Sequence, residues 1–136
     1  MALEATLVFD ENKVKTYSLL ECEYEFTQSL DITGRPSDRP RGGIIKATFV
    51  SPDDKDLVFH EWMFAKDLVK DGTVYFGVNK NSEFASKRIH FTNAYCVGLR
   101  EYFNDGNSLP MYTEIAIAAG ELTFGDGDDC VFKMID

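Results

Sequence analysis

The sequence predicts a mainly β protein: a compact barrel of antiparallel strands flanked by one α-helix at about residues 52–70. Period-two alternation of apolar and polar residues recurs along most of the chain. One window instead has helical spacing, with Val58, Trp62, Ala65 and Val69 separated by four, three and four residues. Eleven phenylalanines and a hydrophobic fraction of 44% supply a real core rather than disorder. At 136 residues the chain reads as a single domain, 1–136, able to bury roughly two-thirds of its unfolded surface.

Each element follows from local pattern. Leu3, Ala5, Leu7 and Phe9 alternate with mostly polar neighbours, which predicts a first strand. In the second, Leu20, Cys22, Tyr24 and Phe26 should face one way and Glu21, Glu23 and Glu25 the other. Ile44 to Val50 is apolar on both faces, as in a strand covered from two sides. Ser51 as N-cap, Pro52 at the first helical position and Asp53 and Asp54 in the first turn then open the helix. Lys66 and Lys70 suit its C-terminal end, and Gly72 is the expected terminator. Val74, Phe76 and Val78 predict a strand. A longer one carries Ile89, Phe91, Tyr95, Val97 and Leu99 and runs on to Phe103. The Asn104–Ser108 turn leads into Met111 to Leu122, and a short strand should lie near Val131 to Met134.

Composition narrows the function classes. A net charge of −9 disfavours nucleic acid as a partner, because phosphate would be repelled. No apolar run approaches a membrane span, and the first residues lack the basic and apolar regions of a secretory signal. The expected location is therefore cytoplasmic, with any export through a route that needs no cleaved signal peptide. Cys22, Cys96 and Cys130 are far apart and odd in number, which suits free thiols; Cys22 and Cys96 fall in strand-like patterns, and Cys130 is the exception.

No catalytic or cofactor motif emerges. His60-Glu61 opens like a zinc-protease helix, but Phe64 stands where a second histidine is needed. His90 is alone in a strand. Gly125-Asp126-Gly127-Asp128-Asp129 has the start of a calcium loop without the closing bidentate glutamate, and it reads as an acidic turn. Glu21, Glu23 and Glu25 repeat at every second position, the pattern of a solvated strand face rather than of two differently tuned catalytic carboxylates. The expectation is a protein that is not an enzyme and needs no cofactor or metal.

The segment Thr33 to Gly43, Thr-Gly-Arg-Pro-Ser-Asp-Arg-Pro-Arg-Gly-Gly, stands apart from this background. It holds Arg35, Arg39 and Arg41, three of the five arginines, with Pro36 and Pro40. Proline biases the preceding residue toward extended backbone, so Arg35 and Arg39 should both be held outward. A stiff arginine arm on an acidic protein finds carboxylates most readily on another copy of the same chain. Arm-on-body contact is head-to-tail, which generates rings or filaments.

The ordered set TGRPSDRPRGG, HEWM, DGTVYF, IHFTNAYCVGLREYF and LPMYTEIAIAAGELTFG resembles the haemolysin-coregulated protein (Hcp, TssD) family of type VI secretion tube proteins, in the form found in Bacteroidetes. The similarity spans about Leu3 to Gly125 and weakens over Cys130 to Asp136. It implies an Hcp-like β-barrel, hexameric rings with a wide channel, and stacking of rings into a tube propelled by a contractile sheath. The partners it implies are the chain itself, the spike protein VgrG, sheath proteins and effector cargo in the lumen. It also implies that Gln28 to Gly43 is the extended loop that touches neighbouring subunits and adjacent rings, with Arg35, Pro36, Arg39, Pro40 and Arg41 as its contact residues. Glu21, Glu23 and Glu25 would then form an acidic face on either the lumen or the exterior. Trp62 reads as core. Two alternatives remain at this point: a tube protein of a phage-like contractile particle, and a monomeric barrel holding a small apolar ligand.

Overall fold

The computed structural model describes residues 3–78, 85–106, 111–125, 127 and 130–134. Among these residues, ten strands and one helix follow in the order β1 (Glu4–Phe9), β2 (Asn12–Glu23), β3 (Phe26–Thr27), β4 (Arg41–Gly42), β5 (Ile44–Val50), α1 (Val58–Phe64), β6 (Lys70–Gly77), β7 (Ala85–Phe103), β8 (Met111–Ala118), β9 (Glu121–Phe124) and β10 (Val131–Lys133). Antiparallel pairing runs β7-β6-β1-β2-β5-β8, and β8 returns to β7, so six strands close into a barrel. β9 and β10 extend the wall from the other edge of β7. Closure removes the barrel's open edges.

β7 makes the closure possible because its 19 residues serve both of its barrel neighbours, β6 and β8, with β9 on its outer edge. Its first half pairs with β6 and its second half with β8. Asn93, at φ 52°, and the register shift between Cys96 and Gly98 bend the strand between those halves. The backbone N–H of Asn93 donates to Asp71 Oδ1 at 2.8 Å, which ties down this left-handed residue. Each irregularity also switches the inward phase. Ile89, Phe91, Ala94 and Cys96 are buried, whereas Tyr95 and Val97 face outward.

The same physics corrects β2. A register shift between Leu19 and Glu21 lets Tyr17 and Leu19 point inward before it and Cys22 and Tyr24 after it. Leu20, expected inside, is half exposed. β5 departs from expectation too: Ile45, Ala47 and Phe49 are buried, but Lys46 and Val50 are exposed, so one face only is covered within a single chain.

The helix is much shorter than the 52–70 expected. It spans seven residues and has no side-chain cap at Leu57. The residues that looked like an N-terminus are used elsewhere. Ser51 Oγ lies 2.7 Å from Thr113 Oγ1, and Asp53 closes a tight turn by accepting from the Lys55 N–H at 2.9 Å. Asp56 Oδ2 accepts from the Tyr17 hydroxyl at 2.8 Å. At the other end Lys70 already belongs to β6, and Gly72 is not a helix terminator. A Cβ there would stand 2.6 Å from the Phe91 ring and 2.7 Å from the Val8 carbonyl oxygen. Gly72 is required by close packing within the barrel wall.

Short as it is, α1 closes the barrel end. Phe59 and Trp62 are buried and meet Phe9, Tyr17, Phe49 and Phe91. The Trp62 indole N–H donates to the Ala94 carbonyl at 3.0 Å, so its polar atom is satisfied inside the core. Side chains, including Leu7, Ile45, Ile89, Ile115 and Ile117, fill the interior.

Candidate functional site

The candidate site is the arm that leaves the barrel between β2 and β5. Its base is narrow: β3 and β4 pair only through Phe26 with Gly42 and Thr27 with Arg41. Gly42 and Gly43, at φ 116° and 77°, turn the chain from the arm into β5. Further out, the Ser37 N–H donates to the Ser29 carbonyl at 2.8 Å, and Leu30 bridges Pro36.

The tip is organised by one carboxylate that sequence reasoning did not single out. Asp31 Oδ1 accepts from the Thr33 N–H at 2.9 Å, the Thr33 hydroxyl at 2.7 Å and the Arg35 N–H at 3.0 Å. The Asp31 N–H in turn donates to the Arg35 carbonyl at 2.8 Å. The Thr33 hydroxyl first, and the backbone donors with it, hold the Asp31 carboxyl below the usual carboxylate range. The Asp-x-Thr spacing is the available sequence signal for such a turn.

The three arginines have three different fates. Arg35 is exposed, and its guanidinium makes no hydrogen bond or ion pair among the described residues. Arg41 pairs with Asp38, Nη2 to Oδ2 at 2.6 Å, and this bond is the main reason the Asp38 carboxyl is also lowered. Arg39 corrects the expectation that it is held outward. Its Nη2 donates to the carbonyls of Lys133 at 2.7 Å and Met134 at 2.6 Å. Those acceptors lie more than 90 residues away in sequence, so no local pattern signals them. Pro36 and Pro40 are exposed along the arm, as are the apolar Leu30 and Ile32, the latter completely.

Glu21 and Glu23 are exposed on the outside of the barrel wall, and Glu25 is exposed at the base of the arm. Glu21 stands opposite Thr48 and Glu23 opposite Lys46. Glu21 and Glu23 share a shallow surface with Cys22, Lys46, Thr48 and Glu114. The histidines form separate surface pairs, His60 with Glu101 at 2.7 Å and His90 with Asp10 at 3.0 Å. No cluster of three or more metal-ligating side chains occurs among the described residues. Most of the acidic turn 125–129 weighed as a calcium loop lies outside them. Cys96 is buried, Cys22 half-buried with its thiol pushed up by burial to about 11, and Cys130 exposed; all three are free. No helix among the described residues is long and apolar enough to cross a membrane.

Comparison with known proteins places this geometry. The model of the family described as hemolysin coregulated protein Hcp (TssD) matches residues 1–129. This chain belongs to the Hcp (TssD) family. Hcp1 from Flavobacterium johnsoniae is similar at 30% identity, covering 96% of this chain and 98% of that one with a TM-score of 0.79. Hcp1 from E. coli EAEC 042 is 10% identical over 99% of both chains with a TM-score of 0.69, a likeness of fold. The fold extends to the sheath-tube complex of an extracellular contractile injection system, at 17% identity and a TM-score of 0.56 over 90% of this chain and 88% of that one. A search of curated proteins finds no match.

Proposed function

We propose that this chain is the tube protein of a type VI secretion system, a single structural domain without catalytic activity. Copies form hexameric rings, and rings stack into the inner tube that a contractile sheath drives outward behind a spike of the VgrG kind, with effectors carried in the lumen. The observation that carries this reading is the family match over nearly the whole chain, joined by 30% identity to an Hcp1 structure over almost its full length. The barrel filled with side chains supports it against the ligand-binding alternative.

In this reading the arm meets a neighbouring copy. With a formal charge of −9 on every copy, stacked rings repel unless opposite charges meet at the contact. Arg35 is the arginine available for that role, because Asp38 occupies Arg41 and the end of β10 occupies Arg39. Native mass spectrometry should give a sixfold assembly, and electron microscopy stacked rings. Arg35→Glu should leave the hexamer intact and weaken stacking, with the deficit largest at low salt. A monomer at high concentration would refute the tube reading. Stacking by the variant equal to that of the parent at low salt would remove Arg35 from the contact.

A further inference from the structure

We infer that the segment around β10, residues 130–134, is a strut that fixes the direction of the arm, with Arg39 and Phe132 as its two attachment points. The family match ends at residue 129, so the strut lies just beyond the part of the chain that the family model reaches.

The arm needs an external support. A two-residue ladder such as β3–β4 is too small to hold a hairpin in water, where even longer isolated two-stranded hairpins are marginal. The bonds at the tip stiffen the tip but do not tie it to the barrel. β10 is well placed to do so, because it is itself bonded to the wall. It pairs with β9 through Val131–Thr123, Phe132–Leu122 and Lys133–Glu121. The Phe124 N–H donates to the Cys130 carbonyl at 2.9 Å, and the Met134 N–H to the Gly120 carbonyl at 3.0 Å.

Two contacts then reach from this anchored segment to the arm. The Phe132 ring lies 4.8 Å from the Phe26 ring of β3, edge to face, within a group that includes Tyr24 and Phe124. It fills the space beside Gly43, where a Cβ would come within 2.9 Å of it. The Arg39 guanidinium, further along the arm, holds the last two carbonyls of the segment. Charge-assisted bonds of this length are stronger than neutral ones. Phe132 grips the arm at its base, on Phe26 and beside Gly43, and Arg39 ties a point further along the arm, so the two attachments resist rotation as well as bending. Arg39 is thus a positioning residue, and the arm's contact surface is left to Arg35, Leu30 and Ile32.

The role assigned to the arm in assembly rests on the proposed function, but the strut does not, and one experiment separates them. Hydrogen–deuterium exchange on the full chain and on Phe132→Ala should show amides 28–42 losing protection by about tenfold or more, with β5 and β8 amides unchanged. Arg39→Ala should give the same pattern. Unchanged exchange in the arm of both variants would overturn the strut, as would equal loss across arm and barrel. Ring stacking of the same variants reads the other question: a loosened arm with undiminished stacking keeps the strut and removes the arm from the ring contact.

Discussion

The barrel end and the arm are held by opposite kinds of interaction. At the barrel end, residues from β1, β2, β5, α1 and β7 converge on one aromatic cluster, and almost every contact is distant in sequence. In the arm, most bonds join residues a few positions apart, and few apolar atoms are buried. Burial of large rings is cooperative and stabilises the whole domain, whereas exposed hydrogen bonds shape one loop and contribute little to global stability. The molecule therefore combines a rigid wall with a projection whose tip is shaped by local bonds and whose direction is fixed from the wall through β10.

The largest break in that comparison should come from Trp62→Ala. It removes a buried ring packed on Phe9 and Phe91 and leaves a cavity behind α1, at a cost of about 3–5 kcal/mol. Denaturant unfolding of the monomer would show the loss; a change below 1 kcal/mol, on the scale of surface substitutions, would mean that α1 is dispensable to the core.

Asp31→Ala should act on the other region alone. Three donors lose one acceptor, so amide protection around residues 29–37 should fall about tenfold while the melting temperature stays within about 2 °C. A large drop in melting temperature would show that arm and barrel are not separable.

Acid should sharpen the contrast most gently. The folded carboxyls of Asp31 and Asp38 lie below their ordinary value of 3.8. A lowered folded value means that the order they supply is fully present above 3.8 and is lost as pH falls through the folded values. NMR spectra should therefore show arm resonances around residues 31–38 changing as pH falls below 3.8, while β5 and β8 keep their folded dispersion. Simultaneous change in both regions would contradict the separation.

How much was legible follows the same division. Alternation identified the strands because a half-buried strand must repeat every two residues, and Trp62 was recognisable as core. The phase within β2 and β7 was not readable, because each bulge switches it. Gly98 inside a strand-like run was the one local hint, and Leu20 and Val97 look the same in either phase. The helix was overread because capping signals at Ser51, Asp53 and Gly72 are equally good turn and packing residues, and tertiary partners claimed them.

By itself, the sequence determined the strand-rich composition, the location of an unusual arm and the membership of the Hcp family, since all three rest on residue order and local pattern. Tertiary structure alone decided which arginine is available to a partner. Arg35, Arg39 and Arg41 are alike in local context, each within reach of a proline. Their guanidinium groups differ in the acceptors beside them: none among the described residues for Arg35, two carbonyls from the distant β10 segment for Arg39, and an aspartate three residues away for Arg41. A guanidinium's role is set by its nearest acceptors, and acceptors from distant strands exist only once the barrel has closed.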